Sequence, residues 1–190
     1  MGGAMRIIAG EARGRRLYAP AGEETRPTSD RVRESLFNIL GRRVLDARVL
    51  DLFGGTGAMA LEALSRGAAH AVIVDSARQA VAAIERNARA VLGDAFAGRA
   101  QIVRADYRAA LGQMAGMRFD LVFLDPPYRM AEAYGDALLR LLAMGALGEG
   151  CRIVMERARE QAIALPEGFA RVDARDYGKT SVEFVEVSGR

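Results

Sequence analysis

The sequence contains few of the residues that build disulfides and structural metal sites. It has one cysteine, Cys151, one histidine and no tryptophan among its 190 residues. A single cysteine excludes an intramolecular disulfide, and one cysteine with one histidine provides too few ligands for a structural zinc ion. We therefore expect no metal site and a reducing compartment.

Long apolar segments are also missing. No apolar run approaches the ~20 residues that a membrane-spanning helix needs. The N-terminus lacks the charged head and apolar stretch of a signal peptide. These absences predict a cytoplasmic protein with no membrane partner. The hydrophobic share of 51% and the charged share of 27% are instead typical of one globular domain with a real core.

Positive charge is unevenly distributed along the chain. Residues 1–43 hold nine arginines and five acids, a net charge of +4, whereas the remainder holds 18 basic and 19 acidic residues. Lys179 is the only lysine. A basic N-terminal arm favours a polyanionic partner such as RNA, although a solvated surface explains the same pattern equally well.

The pattern of apolar residues divides the chain into an N-terminal extension, 1–43, and a core, 44–190. In the extension, 5–9 and 15–18 flank a turn and predict a hairpin, and Ser29 predicts the cap of a helix over 30–40. Residues 1–4 resemble an upstream start or a tag remnant.

The core alternates strands and helices. Strands are predicted at 49–53, 71–75, 101–105, 119–124, 151–156, 172–177 and 181–187. Four helices are predicted: one at 57–66, one that begins after a Ser76 cap, a short one that follows the third strand and ends at about 115, and one at 132–143. This alternation predicts a parallel sheet covered by helices on both faces, with an antiparallel closing pair.

A glycine-rich loop, 51–57, follows the first predicted strand. Ligands of open α/β sheets bind at the carboxyl ends of strands, where glycines let them approach the backbone. Asp75 ends the second strand, where its carboxylate can accept both hydroxyl hydrogens of a ribose. Residues 55–60 also satisfy G-x-G-x-x-A at the spacing of an NAD-binding acid. The loop alone therefore leaves S-adenosylmethionine and NAD open, while Asp51 before the glycines favours a cationic ligand over a pyrophosphate.

The motif Asp125-Pro-Pro-Tyr128 follows the fourth predicted strand. An amino group on a nucleic-acid base is a poor nucleophile because its lone pair is delocalised into the ring. Hydrogen bonds from that group to Asp125 and to a carbonyl of the rigid Pro126-Pro127 turn would localise the lone pair and aim it. Tyr128 can stack on a base that is flipped out or unpaired. The motif predicts methylation of an exocyclic amine, and a rigid turn without function is the structural alternative.

Asp106 follows the third predicted strand. It either binds the adenine amino group of the cofactor or caps the next helix, and the sequence favours neither reading.

The chain resembles the bacterial RsmD methyltransferases over nearly its whole length, from residue 5 to 187. The resemblance lies in the segments 5–10, 13–17, 25–38, 51–58, 61–67, 125–128 and 177–180. The segment 25–38 is the specific part, because D-P-P-Y also occurs in DNA adenine and cytosine amino-methyltransferases. Gly55 stands where an alanine is common, and Asp75 stands where a longer acid is frequent.

The resemblance implies a class I S-adenosylmethionine-dependent methyltransferase fold. This is a Rossmann-like, mostly parallel seven-stranded sheet with an antiparallel last strand, to which the N-terminal hairpin and helix are added. It implies methylation of N2 of one guanine in 16S rRNA by a monomer that acts on a partly assembled small subunit. The implied cofactor contacts are Asp51, Phe53, Gly54, Gly55, Gly57, Asp75 and Asp106. The implied guanine contacts are Asp125, Pro126, Pro127 and Tyr128. The implied RNA contacts are Arg13, Arg15, Arg26, Arg31 and Arg33.

Three other functions remain open from the sequence. A DNA adenine-N6 methyltransferase would use the same motif, but little sequence outside the core is left for a DNA recognition domain. An NAD-dependent oxidoreductase fits the glycine loop, but no set of residues downstream resembles hydride-transfer machinery. A non-catalytic RNA-binding assembly factor is a third reading, against which the intact D-P-P-Y motif argues.

Overall fold

In the described residues, 5–19 and 29–189 of a computed structural model, seven strands form one sheet. The strands are β1 Arg48–Asp51, β2 His70–Asp75, β3 Ala100–Arg104, β4 Phe119–Leu124, β5 Leu147–Ala158, β6 Phe169–Tyr177 and β7 Thr180–Val187. The helices are α1 Asp30–Leu40, α2 Ala58–Ser65, α3 Arg78–Leu92, α4 Phe96–Arg99, α5 Tyr107–Gly112 and α6 Glu132–Ala143. Arg26 and the predicted start or tag remnant, 1–4, lie outside the described residues.

The strand order is β3-β2-β1-β4-β5-β7-β6. Strands β1 to β5 are parallel to one another, and β7 runs antiparallel to both β5 and β6. The predicted mostly parallel sheet with an antiparallel last strand is therefore confirmed. The order reverses between β1 and β4, which opens a crevice at their carboxyl ends, where such sheets bind ligands.

Both faces of the sheet are buried, which explains why its central strands are nearly continuous apolar runs. On one face Val49, Ile73 and Phe123 join a core shared with α1, α2 and α3. On the other face Leu50 and Val122 join a core shared with α5 and α6. Residues two apart on a strand share a face. Asp51, Asp75 and Asp125, which lie two positions after Val49, Ile73 and Phe123, therefore point to the α1 side of the sheet.

Most predicted elements are present, with a few differences. Ser29 caps α1 as predicted, because its Oγ accepts the Val32 N–H at 3.3 Å. The predicted Ser76 cap is wrong: α3 begins after Ala77, whose N–H donates to Asp75 Oδ1 at 2.8 Å. The helix α4 was not predicted, and β5 extends beyond its predicted bounds at both ends.

The N-terminal hairpin forms around one bridge, between Arg6 and Arg16, rather than two full strands. It lies along α2, where the buried Glu62 carboxylate accepts the N–H groups of Ile8 at 2.8 Å and Ala9 at 3.0 Å. Its tip reaches the last residue of α2, since the Glu11 N–H donates to the Ser65 carbonyl at 2.8 Å.

No helix in the described ranges is long and apolar enough to cross a membrane.

Candidate active site

Acidic side chains gather at the carboxyl edge of four adjacent strands. Asp51 ends β1, Asp75 ends β2, and Asp125 follows β4. Leu124 pairs with Met155 in the register of β4 and β5, which places Asp125 across from Glu156 on the neighbouring strand. A crevice lined by carboxylates raises the local concentration of cationic ligands and disfavours anionic ones.

The glycine loop after β1 folds tightly against β2. The Gly54 N–H donates to the Val74 carbonyl at 2.8 Å. A methyl group on Gly54 would lie only 2.6 Å from Ile73 Cγ2, so no other residue fits there without a shift. Gly55 and Gly57 have φ values of 55° and 79°, in the left-handed region that favours glycine. The loop therefore needs its glycines for backbone geometry as well as for access.

Asp75 holds this loop in place. Its Oδ2 accepts the Gly55 N–H at 2.9 Å, while its Oδ1 accepts the Ala77 N–H at the start of α3. A carboxylate oxygen has two lone pairs, so both oxygens retain capacity for ribose hydroxyls. The ribose contact stays a prediction.

Asn87 is a residue that the sequence reasoning missed. It is buried in α3, and its Nδ2 donates to the carbonyls of Tyr18 and Thr56, both at 2.9 Å. Its Oδ1 accepts the Tyr18 N–H at 2.7 Å. Asn87 thus joins the end of the N-terminal hairpin to the middle of the glycine loop. The sequence signal that could have identified Asn87 is its position in α3, where a polar amide adjoins the apolar face formed by Ile84 and Ala88.

Burial changes the acidity of Asp51. Its pKa is raised to about 7: burial is the main cause and the nearby Asp75 charge also raises it, while hydrogen bonds from the Phe53 and Ala60 backbone partly offset the rise. At neutral pH the group is therefore poised between its two forms. A cationic ligand beside it would favour the carboxylate.

Asp125 is open to solvent at the mouth of the crevice, although protein atoms crowd around its carboxyl group. This crowding raises its pKa well above the usual range, and the charges of Glu156 and Asp51 add to the effect. The neighbouring Tyr128 is 66% exposed, so its ring is free to stack on a ligand. The Pro127 carbonyl accepts the Met130 N–H at 2.7 Å.

Behind this motif lies Tyr134 of α6, a second residue that the sequence reasoning missed. It is 2% exposed, and its hydroxyl donates to the Glu156 carbonyl. Burial raises its pKa, as do the charges of Asp125 and Glu156. The hydroxyl therefore stays protonated and ties α6 to the end of β5 beneath Asp125.

Asp106 caps α5, because its Oδ1 accepts the Arg108 N–H at 2.9 Å. The capping interpretation is thus present in the structure, and the residue is exposed, so its other oxygen is open to a ligand. Phe53 is half-buried and packs on Tyr107, with ring centroids 5.4 Å apart. The cofactor contacts of Asp106 and Phe53 stay predictions.

The arginines predicted to bind RNA occupy different environments. Arg13, Arg15 and Arg31 are exposed. The hairpin tip lies at the far end of α2, about 12 Å along the helix from the glycine loop at 1.5 Å per residue. Arg13 and Arg15 are therefore at a distance from the crevice.

Arg33 contradicts its prediction, because its side chain is fully buried. Its Nη2 donates to the Arg6 carbonyl and to Asp30 Oδ1, the latter at 2.9 Å, and its Nε lies 3.7 Å from Glu62 Oε2. The guanidinium therefore joins α1, α2 and the N-terminal hairpin inside the fold, and it is not at the surface for RNA.

The strand order, the glycine loop and the position of the D-P-P-Y motif define a class I methyltransferase fold. A family model described as "Conserved hypothetical protein 95" matches residues 5–186. The chain belongs to this family, the RsmD family.

Named relatives span much or all of the chain. The candidate rRNA methyltransferase YlbH of Bacillus subtilis is 38% identical over 191 residues, which cover 97% of this chain and 100% of that protein. Ribosomal RNA small subunit methyltransferase D of Escherichia coli is 43% identical over 127 residues, which cover 67% of this chain and 62% of that protein. The solved structure of the Escherichia coli methyltransferase candidate yhhF matches with a TM-score of 0.84 at 31% identity, covering 99% of this chain and 100% of that one.

Proposed function

We propose that this protein methylates the exocyclic N2 of one guanine in 16S rRNA with S-adenosylmethionine as methyl donor. The observation that carries the proposal is the placement of Asp125-Pro-Pro-Tyr128 at the reversal of strand order, beside the glycine loop. The names of the Bacillus subtilis and Escherichia coli relatives support rRNA as the substrate class. We further propose that the enzyme is a cytoplasmic monomer acting on a partly assembled small subunit.

The residues at the carboxyl edge fit S-adenosylmethionine. A side chain on Gly54 would push the glycine loop away from Ile73, and Asp51 and Asp75 offer carboxylates to a cationic amino acid group and to a ribose. Asp106 offers a carboxylate oxygen to the adenine amino group. The sulfonium of the bound cofactor supplies an activated methyl group, so the chemistry needs no metal.

Asp125 prepares the nucleophile. Its carboxylate accepts a hydrogen bond from the guanine amino group, which localises the nitrogen lone pair and orients it. The second acceptor is a backbone carbonyl of the Pro126-Pro127 turn. Tyr128 stacks on the guanine ring. After methyl transfer the nitrogen carries a positive charge, and the Asp125 carboxylate is placed to take the proton it releases.

Transfer of labelled methyl from S-adenosylmethionine to small-subunit particles from cells without this protein tests the proposal. Nucleoside analysis should show new N2-methylguanosine in 16S rRNA. Label in DNA adenine would retain the amino-methylation chemistry and refute the RNA substrate. Cofactor binding with no transfer to either would leave a non-catalytic assembly factor.

Affinity for S-adenosylmethionine is expected to rise with pH between about 6 and 8. The Asp51 pKa is about 7 in the free protein, and a cationic ligand binds better to the carboxylate than to the neutral acid. Binding should therefore release part of a proton below pH 7, measurable by calorimetry in buffers of different ionisation enthalpy. Asp51→Asn should remove this pH dependence; its persistence in that variant would assign the titration to another group.

The same raised pKa has a consequence for stability. Between the ordinary carboxyl pKa near 4 and about 7, the folded state binds more protons at Asp51 than the unfolded state does. Asp51 therefore makes the free energy of unfolding fall as pH rises through this window.

Gly54→Ala is expected to weaken S-adenosylmethionine binding by at least about tenfold, because the added methyl group displaces the loop from Ile73. Gly135→Ala is the matched control, since a methyl group there meets no atom within 4 Å and lies inside α6. The control should bind the cofactor normally. Equal cofactor affinities in the two variants would show that the close packing at Gly54 does not matter for binding.

A further inference from the structure

The turn between β6 and β7 lies at the catalytic edge of the sheet. Strand β7 runs antiparallel to β5, and Thr180 pairs with Ala158 near the end of β5. The residues Gly178 and Lys179 therefore lie beside the carboxyl end of β5. This is the same edge that presents Asp125, because β4 and β5 are parallel.

Several contacts hold this turn in one conformation. Gly178 has a φ of 61°, and the Lys179 carbonyl accepts the Arg159 N–H at 2.8 Å. The Tyr177 hydroxyl and Ser35 Oγ of α1 are 2.6 Å apart and share a hydrogen bond. These contacts fix the backbone at Lys179 and leave its ammonium group uncommitted.

The Lys179 side chain is exposed, and no ion pair to it is present in the described part of the chain. The nearest acid along the strand, Asp176, is paired with Arg159 at 3.3 Å. Arg31 lies one helical turn before Ser35, on the same face of α1. Lys179 and Arg31 are thus exposed cations on the two elements, the β6–β7 turn and α1, that the Tyr177–Ser35 hydrogen bond joins.

The negative charge of the crevice indicates a role for Lys179 and Arg31. RNA that brings a base to Asp125 also brings phosphates toward a crevice rich in carboxylates, which repel them. Cations on the rim offset this repulsion, and each bound phosphate releases counterions.

We propose that the β6–β7 turn is an RNA-contact element in which Lys179 binds a backbone phosphate close to the target nucleotide, with Arg31 on a neighbouring phosphate. This inference rests on the proposed rRNA substrate. It places an RNA contact at the rim of the crevice, at the opposite end of α2 from the hairpin tip with Arg13.

Lys179→Ala tests the inference, with Lys179→Arg as the charge-preserving variant. Arg118→Ala is the matched control, because Arg118 is also exposed but precedes β4 at the opposite edge of the sheet. Affinity for a 16S rRNA transcript and for small-subunit particles is measured across a salt series. Lys179→Ala should bind about three- to tenfold more weakly, and its salt slope should be smaller by about 0.7–0.9, as for one lost phosphate contact.

Lys179→Arg and Arg118→Ala should bind RNA as the unchanged protein does, and all variants should bind S-adenosylmethionine equally. Lys179→Ala binding with the affinity and salt slope of Arg118→Ala would overturn the inference. Methyl transfer by the unchanged protein, measured in parallel, reports separately on the proposed function. Its failure beside a Lys179-dependent salt slope would refute methylation and retain the RNA contact.

Discussion

Asp125→Ala is expected to reduce kcat about 100- to 1,000-fold while S-adenosylmethionine still binds. The substitution removes the charged acceptor of the guanine amino group, and loss of one such electrostatic contact in a catalytic site has effects of this size. The kcat of Asp125→Asn should lie between those of the unchanged protein and Asp125→Ala, because the amide oxygen accepts a hydrogen bond but does not take a proton. Single-turnover methyl transfer and cofactor titration measure the two quantities.

Asp120→Ala is the control for this experiment, since Asp120 is an exposed acid near the start of the same strand, β4. Its kcat should be unchanged. Asp125→Ala should not lower the free energy of unfolding at pH 8, because the raised pKa of Asp125 means that its charge is costly in the folded state. If Asp125→Ala instead loses cofactor binding and keeps normal turnover when saturated, Asp125 belongs to the cofactor site.

Arg33→Ala is expected to lower the free energy of unfolding by about 3–5 kcal/mol, whereas Arg31→Ala should change it by less than about 0.5 kcal/mol. Arg33 is fully buried against Asp30 and Glu62, so its removal leaves a buried carboxylate with one partner fewer. Arg31 is exposed. Urea unfolding of both variants at pH 7 measures the difference.

RNA binding completes the comparison of the two arginines. Arg31→Ala should weaken binding with a smaller salt slope, while Arg33→Ala, at a temperature where it is folded, should retain the slope. Equal stabilities for the two variants would mean that the Glu62 carboxylate is satisfied without Arg33, by Arg66 at 2.7 Å and by the N–H groups of Ile8 and Ala9.

These two arginines show where sequence reasoning reaches its limit. Both lie in one arginine-rich stretch, and charge composition predicts the same exposed role for each. Helical geometry separates them: Arg33 lies three residues before Leu36 and four before Phe37, so it shares the face of α1 that is buried. A buried arginine is rare enough that composition favours the surface, and the partners Asp30 and Glu62 explain how its charge is accommodated inside the fold.

The main sheet was predictable because its signals are local. Apolar runs bounded by glycines and acids predicted every strand of the core, and the two site motifs fall at strand ends. The misses depend on residues far apart in sequence. Asn87 and Tyr134 make their contacts with Thr56 and Glu156, at separations of 31 and 22 residues, which no periodicity within a window reports. The single-bridge hairpin is likewise held by α2 in addition to its own backbone hydrogen bonds.

The attachment of the N-terminal hairpin also sets an order of events during synthesis. The partners of Ile8 and Tyr18 lie 54 and 69 residues later in the chain, in α2 and α3. Contacts of such long sequence separation form only after the intervening chain exists and its loop has closed. The N-terminal hairpin, which leaves the ribosome early, therefore cannot dock until α3 has been synthesised. The glycine loop, which shares Asn87 with Tyr18, reaches its final support at the same moment. We expect cofactor binding to begin late in folding, together with the docking of the first residues made.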